Sequence, residues 1–322
     1  MENNTYPAII LFTFNRLDEF KETFIKLKNN YLFDKFQIYI FNDGPRNKND
    51  EKEVFLVRDY LLALDKEFEN IVELIFRNEN FGLSKSIIEG VDYVLNRHNE
   101  VIVIEDDIVT NKYFLDFMMK SLLYYKTNKD VFTISGFSFS LKHFPKNYKF
   151  STFMSLRPFP WGWAIWKDRW DNIEWNKLEL LTKWNSDNSH NFNRGGGDLI
   201  PMLKNEFKGK INSWDVLLMY NQYLLNMYSV FPIKSYTHNI GWGKNSTHNK
   251  GFNHYEPILV TNEDHDNLTF CDSESQQIIK SFAYHFSKKN KIISRLKYIK
   301  SWSKFFAIFN DSIIVLKRKF LC

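Results

Sequence analysis

The stretch Val101–Phe114, VIVIEDDIVTNKYF, runs four β-branched residues straight into three consecutive carboxylates, Glu105, Asp106 and Asp107. Val101–Ile104 reads as a short buried strand, and a helix is expected from about Lys112 to Tyr125. Three like charges side by side are unfavourable unless water or a cation screens them. The end of this strand therefore needs a chemical reason.

Working outward, the same alternation recurs. AIILFTF (Ala8–Phe14) reads as a strand, and DEFKETFIKLKNN after it carries apolar residues at helical spacing. FQIYIF (Phe36–Phe41) is a second strand before a helix from Glu51 to about Phe68, and IVELIF (Ile71–Phe76) a third before a helix near Leu83–Arg97. VFTISGF (Val131–Phe137) follows as a fifth strand. Short apolar strands alternating with amphipathic helices imply an α/β chain with a Rossmann-like, mainly parallel sheet covered on both faces. Ligands bind beyond the carboxyl ends of such strands. That rule selects Asn15 and Arg16, Asn42–Pro45, Arg77–Asn80 and Glu105–Asp107, all but Gly44 and Pro45 polar or charged. After about residue 140 come an aromatic block, RPFPWGWAIWKDRW, a glycine-rich NRGGGD, a helix from Asp215 to about Tyr228, and HNIGWGKNSTHNKGF, which reads as an extended loop.

The 322 residues are 44% hydrophobic, enough for one large domain with a substantial core. Aromatic content is 17%, with 31 Phe, and aromatic rings serve both cores and sugar surfaces. Two cysteines, Cys271 and Cys322, argue against a disulfide framework. MENNTYPAII has no secretory pattern and no apolar run approaches the ~20 residues of a membrane span, so the expectation is cytoplasmic. From Ser287 to Cys322 ten Lys/Arg face one acid, a balance of +9, so residues 1–286 carry −4 of the net +5. This basic tail mixes Ile, Leu, Trp and Phe with Lys and Arg at roughly helical spacing. It fits an anionic membrane surface at the inner face of the cell membrane, or a helix packed on the domain with a solvated basic face. A mildly acidic body without a recognition fold argues against nucleic acid.

Carboxylates clustered at a strand's carboxyl end suit Mn²⁺ or Mg²⁺, which takes one or two carboxylates and completes its shell with water and phosphate oxygens. The structural alternative is acids favouring a helix N-terminus. Three in a row after VIVI favour the metal.

Here the sequence resembles nucleotide-sugar glycosyltransferases of the glycosyltransferase-A fold, and in particular the N-acetylglucosaminyltransferase I group, whose motif is also Glu-Asp-Asp after a buried strand. The resemblance runs from about Pro7 to Gly251 in ordered pieces. FTFNR resembles the first-strand exit and implies that Arg16 contacts the nucleotide. FNDG implies that Asp43 reads the uracil. EDD implies that Asp107 coordinates the cation while Glu105 and Asp106 contact the donor. PWGWAIW resembles a segment lining the donor-sugar and acceptor site, with Trp163 as sugar platform. SWDVLL implies Asp215 as catalytic base, with Trp214 beside it as an acceptor or sugar platform like Trp163, and GKNSTHNKGF places His248 near the donor diphosphate. The chain departs from the pattern at Val216, where the family carries a second acid. The implied organisation is a nucleotide-sugar-binding half (1–140), an acceptor and catalytic half (141–286) and the tail (287–322).

The implied chemistry is cation-dependent transfer with inversion, from a UDP-sugar to a glycan or lipid-linked glycan in surface-polysaccharide synthesis. Arg16 or Lys85 supplies fixed positive charge, and Asp215 takes the acceptor's proton. Each residue has a plainer reading: Arg16 at a helix start, Asp43 in a turn, Lys85 on a helix surface, Asp215 in a first helical turn, the tryptophans in a core, His248 on a surface loop. Two other classes compete. A metal-dependent nucleotidyltransferase would need a glycine-rich nucleotide signature near the first strand, which FTFNRLDEF lacks. A non-catalytic carbohydrate-binding protein would need the aromatics but neither Asp107 nor a nucleotide.

Overall fold

A computed structural model describes residues 6–185, 190–241, 255 and 257–298. The strands are β1 (Ala8–Thr13), β2 (Ile38–Asn42), β3 (Val72–Phe76), β4 (Glu100–Glu105), β5 (Ile108–Thr110), β6 (Val131–Ser135), β7 (Thr152–Ser155), β8 (Trp163–Trp166), β9 (Tyr228–Pro232) and β10 (Thr237–Asn239). The helices that matter for the site are α1 (Leu17–Lys28), α2 (Lys48–Glu67), α3 (Gly82–Leu95), α4 (Phe114–Tyr125), α5 (Leu199–Phe207), α6 (Trp214–Leu224), α7 (Gln276–His285) and α8 (Lys288–Tyr298).

Eight strands form one sheet in the order β3-β2-β1-β4-β8-β6-β9-β7, and β5 pairs with β10 in a separate two-stranded sheet. The expected α/β class and mainly parallel sheet hold: β3, β2, β1 and β4 are mutually parallel, as is the β6–β9 pair. Strand β8 enters antiparallel between β4 and β6. It lies inside the block that the sequence reading left as aromatic, because WAIW is buried along its whole length and shows no alternation to mark a strand.

The strands alternate their side chains between two helix layers. Ile9, Leu11, Ile38, Ile40, Ile102 and Ile104 face a core shared with α1, α2 and α4. Ala8, Ile10, Phe12, Tyr39, Phe41, Val101 and Val103 face one shared with α3 and α6. This explains why the strands read as continuous apolar runs. Helix α1 follows its pattern: Phe20, Thr23, Phe24 and Leu27 are buried, with Asp18 and Glu19 in the first turn and Lys26 and Lys28 in the last, complementing the helix dipole. Helix α3 reaches the sheet so closely that a β-carbon on Gly90 would sit 2.6 Å from the Phe12 ring.

The NRGGGD segment ends in Asp198, which pairs with a buried arginine. Arg157 is 4% exposed and donates to Asp198 at 3.0 Å. Gly196, at φ +150°, lies where a β-carbon would come within 2.8 Å of both. Cys271 is buried, beneath the Tyr125 hydroxyl that donates to its carbonyl at 2.7 Å. No helix among the described residues is long and apolar enough to cross a membrane.

Candidate functional site

Strand β4 is central, hydrogen-bonded to β1 on one side and β8 on the other. Its carboxyl end delivers Glu105, Asp106 and Asp107 into a turn before β5. The turn is fastened from two sides. The Thr23 hydroxyl of α1 donates to the Asp106 carbonyl at 2.9 Å, and the Ile240 N–H donates to the Asp107 carbonyl at 2.9 Å. The second contact arises because β10 pairs antiparallel with β5, setting Asn239 opposite Ile108.

Arg16, at the exit of β1, supplies the counter-charge. Its Nε and Nη2 engage both oxygens of Asp106 side-on, and its Nη1 donates to Asp107 Oδ2 at 2.8 Å. Burial alone would lower the Arg16 pKa, but the charges of Asp106 and Asp107 outweigh it and raise it. Among the acids, burial pushes Asp106 up to about 7 despite Arg16, with the Asp107 charge adding to the rise. Burial also raises Glu105 well above the usual carboxylate range, followed by the charges of Asp107 and Asp106, with Asp215 contributing as well.

That last interaction carries Asp215 to the cluster. Asp215 occupies the first turn of α6, where the Ser213 hydroxyl donates to its Oδ1. Its charge is felt at Glu105 although 110 positions separate them in sequence. The fold thus brings Asp215 near enough for its charge to act on Glu105. Asp215 also adds to the rise of the Tyr255 hydroxyl, which burial pushes up to about 12.

Four expectations are corrected or relocated. Trp163 and Trp214 cannot present a sugar platform: they are 1% and 4% exposed, and their rings stack at 5.4 Å between the sheet and α6. A side chain of an interior strand beneath a helix layer is core. The partly exposed tryptophan of that block is Trp161, edge-on to Phe137, Phe159 and Tyr255 at 4.6, 5.1 and 5.4 Å.

Asp43 is also committed elsewhere. Its Oδ1 accepts from Ser86 Oγ at 2.8 Å and Arg77 Nη1 at 3.2 Å, and its Oδ2 from the Phe81 and Gly82 N–H groups, both at 3.1 Å. A carboxylate offers about four lone-pair sites, so protein donors fill them and none remains for a uracil. Asp43 instead ties the exit of β2 to the start of α3. Gly44 beside it is required because a β-carbon would fall 2.7 Å from the Asn78 and Glu79 backbone.

Lys85 stands on the exposed side of α3, over the Phe81 ring at 3.9 Å and 3.6 Å from Glu89, so its partners are not the three acids. His248 lies outside the described residues.

Asn239 and Gly241 are site residues that the sequence reading passed over inside HNIGWG. Asn239 Nδ2 approaches Asp107 Oδ1 at 3.5 Å, and its Oδ1 accepts from the Gly241 N–H at 2.9 Å. A β-carbon on Gly241 would overlap Asp107 Oδ2. Gly241→Ala is therefore expected to displace that carboxylate and cost about 1–3 kcal/mol as overpacking does. Thermal unfolding measures this, and an unchanged transition would show that the segment yields freely.

The residues suit a cation in kind but not as a closed cage. Among the described residues no group of three or more His, Cys, Asp or Glu is placed to hold a metal. Asp106 is occupied by Arg16 through both oxygens, and Asp107 Oδ2 through one. Among the described residues, Asp107 Oδ1 keeps only the long contact to Asn239. This fits a hard cation that takes one carboxylate oxygen from the protein and the rest from water and ligand oxygens.

No protein-family model matches the chain, and no curated protein does. Among solved structures it is similar to the mannosyltransferase PcManGT from Pyrobaculum calidifontis in complex with GDP-Man and Mn²⁺, at 13% identity and TM-score 0.35 over 55% of this chain and 47% of that one. It is also similar to GalNAc-T7 with UDP, GalNAc and Mn²⁺, at 9% identity and TM-score 0.47 over 72% of this chain and 43% of that one. In both, the match spans less than half of the other chain.

Proposed function

We propose that the chain is a cation-dependent, inverting glycosyltransferase of the glycosyltransferase-A fold that moves a hexosyl or N-acetylhexosaminyl group from a UDP-sugar to a glycan or lipid-linked glycan. The observation that carries this reading is the joining of Glu105–Asp107, at the end of the central strand, with Arg16 and with the charge of Asp215 from a different helix. The ordered sequence motifs around those positions support it. Asp107 would hold Mn²⁺ or Mg²⁺. A bound cation supplies a Lewis acid for the leaving diphosphate.

The protein's own groups divide the rest. Arg16 provides fixed positive charge beside the leaving group. Asp215 accepts the proton of the attacking acceptor hydroxyl, and attack from the face opposite the diphosphate inverts the anomeric carbon. Residues 1–140 hold the donor and residues 141–286 the acceptor, with Trp161 replacing Trp163 as the aromatic surface. The deciding experiment incubates the protein with a panel of UDP-sugars and Mn²⁺ and follows UDP release with and without glycan acceptors. Cation-dependent release is the expected result, and release that survives chelation would overturn the cation's role. A product retaining the donor's anomeric configuration would overturn inversion.

The tail belongs to the same proposal as a membrane-surface anchor. Helix α8 opens it with Lys288, Lys289 and Lys291, and Ile292 beside them is 58% exposed. Residues 299–322 lie outside the described residues. The full chain is expected to float with anionic liposomes and a version ending near Ser287 to stay behind. Equal binding by the two would exclude the tail as anchor.

A further inference from the structure

We propose that Arg16 is an internal counter-ion which a divalent cation must displace from Asp107, and that the donor's diphosphate becomes its next partner. The inference rests on the UDP-sugar reading above and concerns how that site is charged and emptied. It starts from the unequal way Arg16 holds its two acids. Toward Asp106 the guanidinium is side-on, with Nε and Nη2 on separate oxygens, an arrangement that is both stronger and more directional than a single bond. Toward Asp107 it extends Nη1 alone, at 2.8 Å from Oδ2. The side-on pair is the anchor and the single bond the exchangeable arm.

Crowding at Asp107 Oδ2 and the charge already bonded to it set up the exchange, even with Oδ1 the less occupied oxygen. The Gly241 backbone closes one side of Oδ2, since a β-carbon there would overlap it, while Nη1 takes the other. A cation reaching the Asp107 carboxylate meets a fixed positive charge already bonded to it, and in a site whose acid side chains are only 6% and 10% exposed that repulsion is weakly screened. The Arg16 side chain is 21% exposed against 6% and 10% for the two acids, so it is the member of this trio nearest solvent. Its backbone need not move, because Arg16 is the residue before α1 and makes no capping bond with its side chain.

Two consequences follow. Cation alone binds weakly, because it must break the Nη1 bond with nothing to receive it. Cation and donor bind cooperatively, because a diphosphate accepts the freed Nη1, and the coupling is the same in either order. Asp106 acquires a role distinct from touching the donor: it keeps Arg16 tethered within reach while the arm swings.

The test measures Mn²⁺ affinity of the full chain by the electron paramagnetic resonance signal of free Mn²⁺, with and without UDP, for wild type, Arg16→Lys and Arg16→Gln. Lysine preserves the charge but cannot be side-on to Asp106 while bonded to Asp107. Without UDP, Arg16→Lys is expected to bind Mn²⁺ several-fold tighter than wild type and Arg16→Gln about tenfold or more tighter. The tightening produced by UDP should be about tenfold smaller in Arg16→Gln than in wild type. Unfolding of each variant is followed by circular dichroism, and Arg16→Lys alone decides if Arg16→Gln does not fold. Arg16→Lys matching wild type would reduce Arg16 to bulk charge and overturn the exchange. Weaker Mn²⁺ binding in the variants would overturn it too. Mn²⁺ bound by no form, with or without UDP, would overturn the cation-dependent reading itself.

Discussion

Asp215→Asn is expected to lower sugar transfer by about 10²–10⁴-fold, the range that a positioned general base supplies, while UDP binding stays within a few-fold of wild type. The substitution is nearly isosteric, and the asparagine oxygen still accepts from the Ser213 hydroxyl that now meets Asp215. What it removes is basicity at one point and one negative charge. The charge has a second readout, since Asp215 helps to raise Glu105. In the variant Glu105 should titrate nearer its ordinary range, visible by carboxyl NMR. Initial rates with saturating donor, paired with calorimetric UDP binding, separate the base from a donor contact. Full transfer by Asp215→Asn would remove it as base.

Asp43→Ala should produce the second large effect, on stability. Asp43 and Arg77 are 7% and 8% exposed, and the arginine would be left as a buried charge without its acid. Breaking such a pair costs about 3–5 kcal/mol, and the Phe81 and Gly82 N–H groups lose an acceptor besides. The unfolding temperature is expected to fall on the order of 10 °C. Asp43→Asn, which keeps an acceptor and the volume, should fall less. The opposite pattern, an unchanged transition with UDP binding lost, would return Asp43 to reading the uracil.

These two aspartates also show what was legible in the sequence. Strands β1 to β4 and β6, with their helices, stood out because strands buried between two helix layers are continuous apolar runs, and the helices between them keep a 3.6-residue period; the three-residue β5 did not. The rule that ligands gather beyond strand ends then selected Arg16 and Glu105–Asp107 correctly as neighbours. The same rule could not distinguish polar residues facing a ligand from polar residues binding the loops together. Asp43 and Arg77 satisfy it and spend their hydrogen bonds on each other and on α3. Trp163 and Trp214 were misplaced for a related reason: a tryptophan beside a glycine, as Trp163 is, or beside an acid, as Trp214 is, looks the same in a platform and under a helix. Strand β8 escaped notice because it is four fully buried residues inside an aromatic block, with neither alternation nor a following amphipathic helix to mark it. Gly241 carried no signal at all, since its need is set by a carboxylate 134 positions earlier.

The pairing of β10 with β5 has a consequence for how the protein is made. A chain growing from its first residue exposes Glu105–Asp107 early, with Arg16 and β1 already available to it. Asn239, which approaches the Asp107 carboxylate, is 132 residues later. At ~5–20 residues per second, synthesis takes on the order of 10 s to supply it. Arg16 is supplied long before Asn239, so its bonds to Asp106 and Asp107 can form in the growing chain before the Asn239 contact exists.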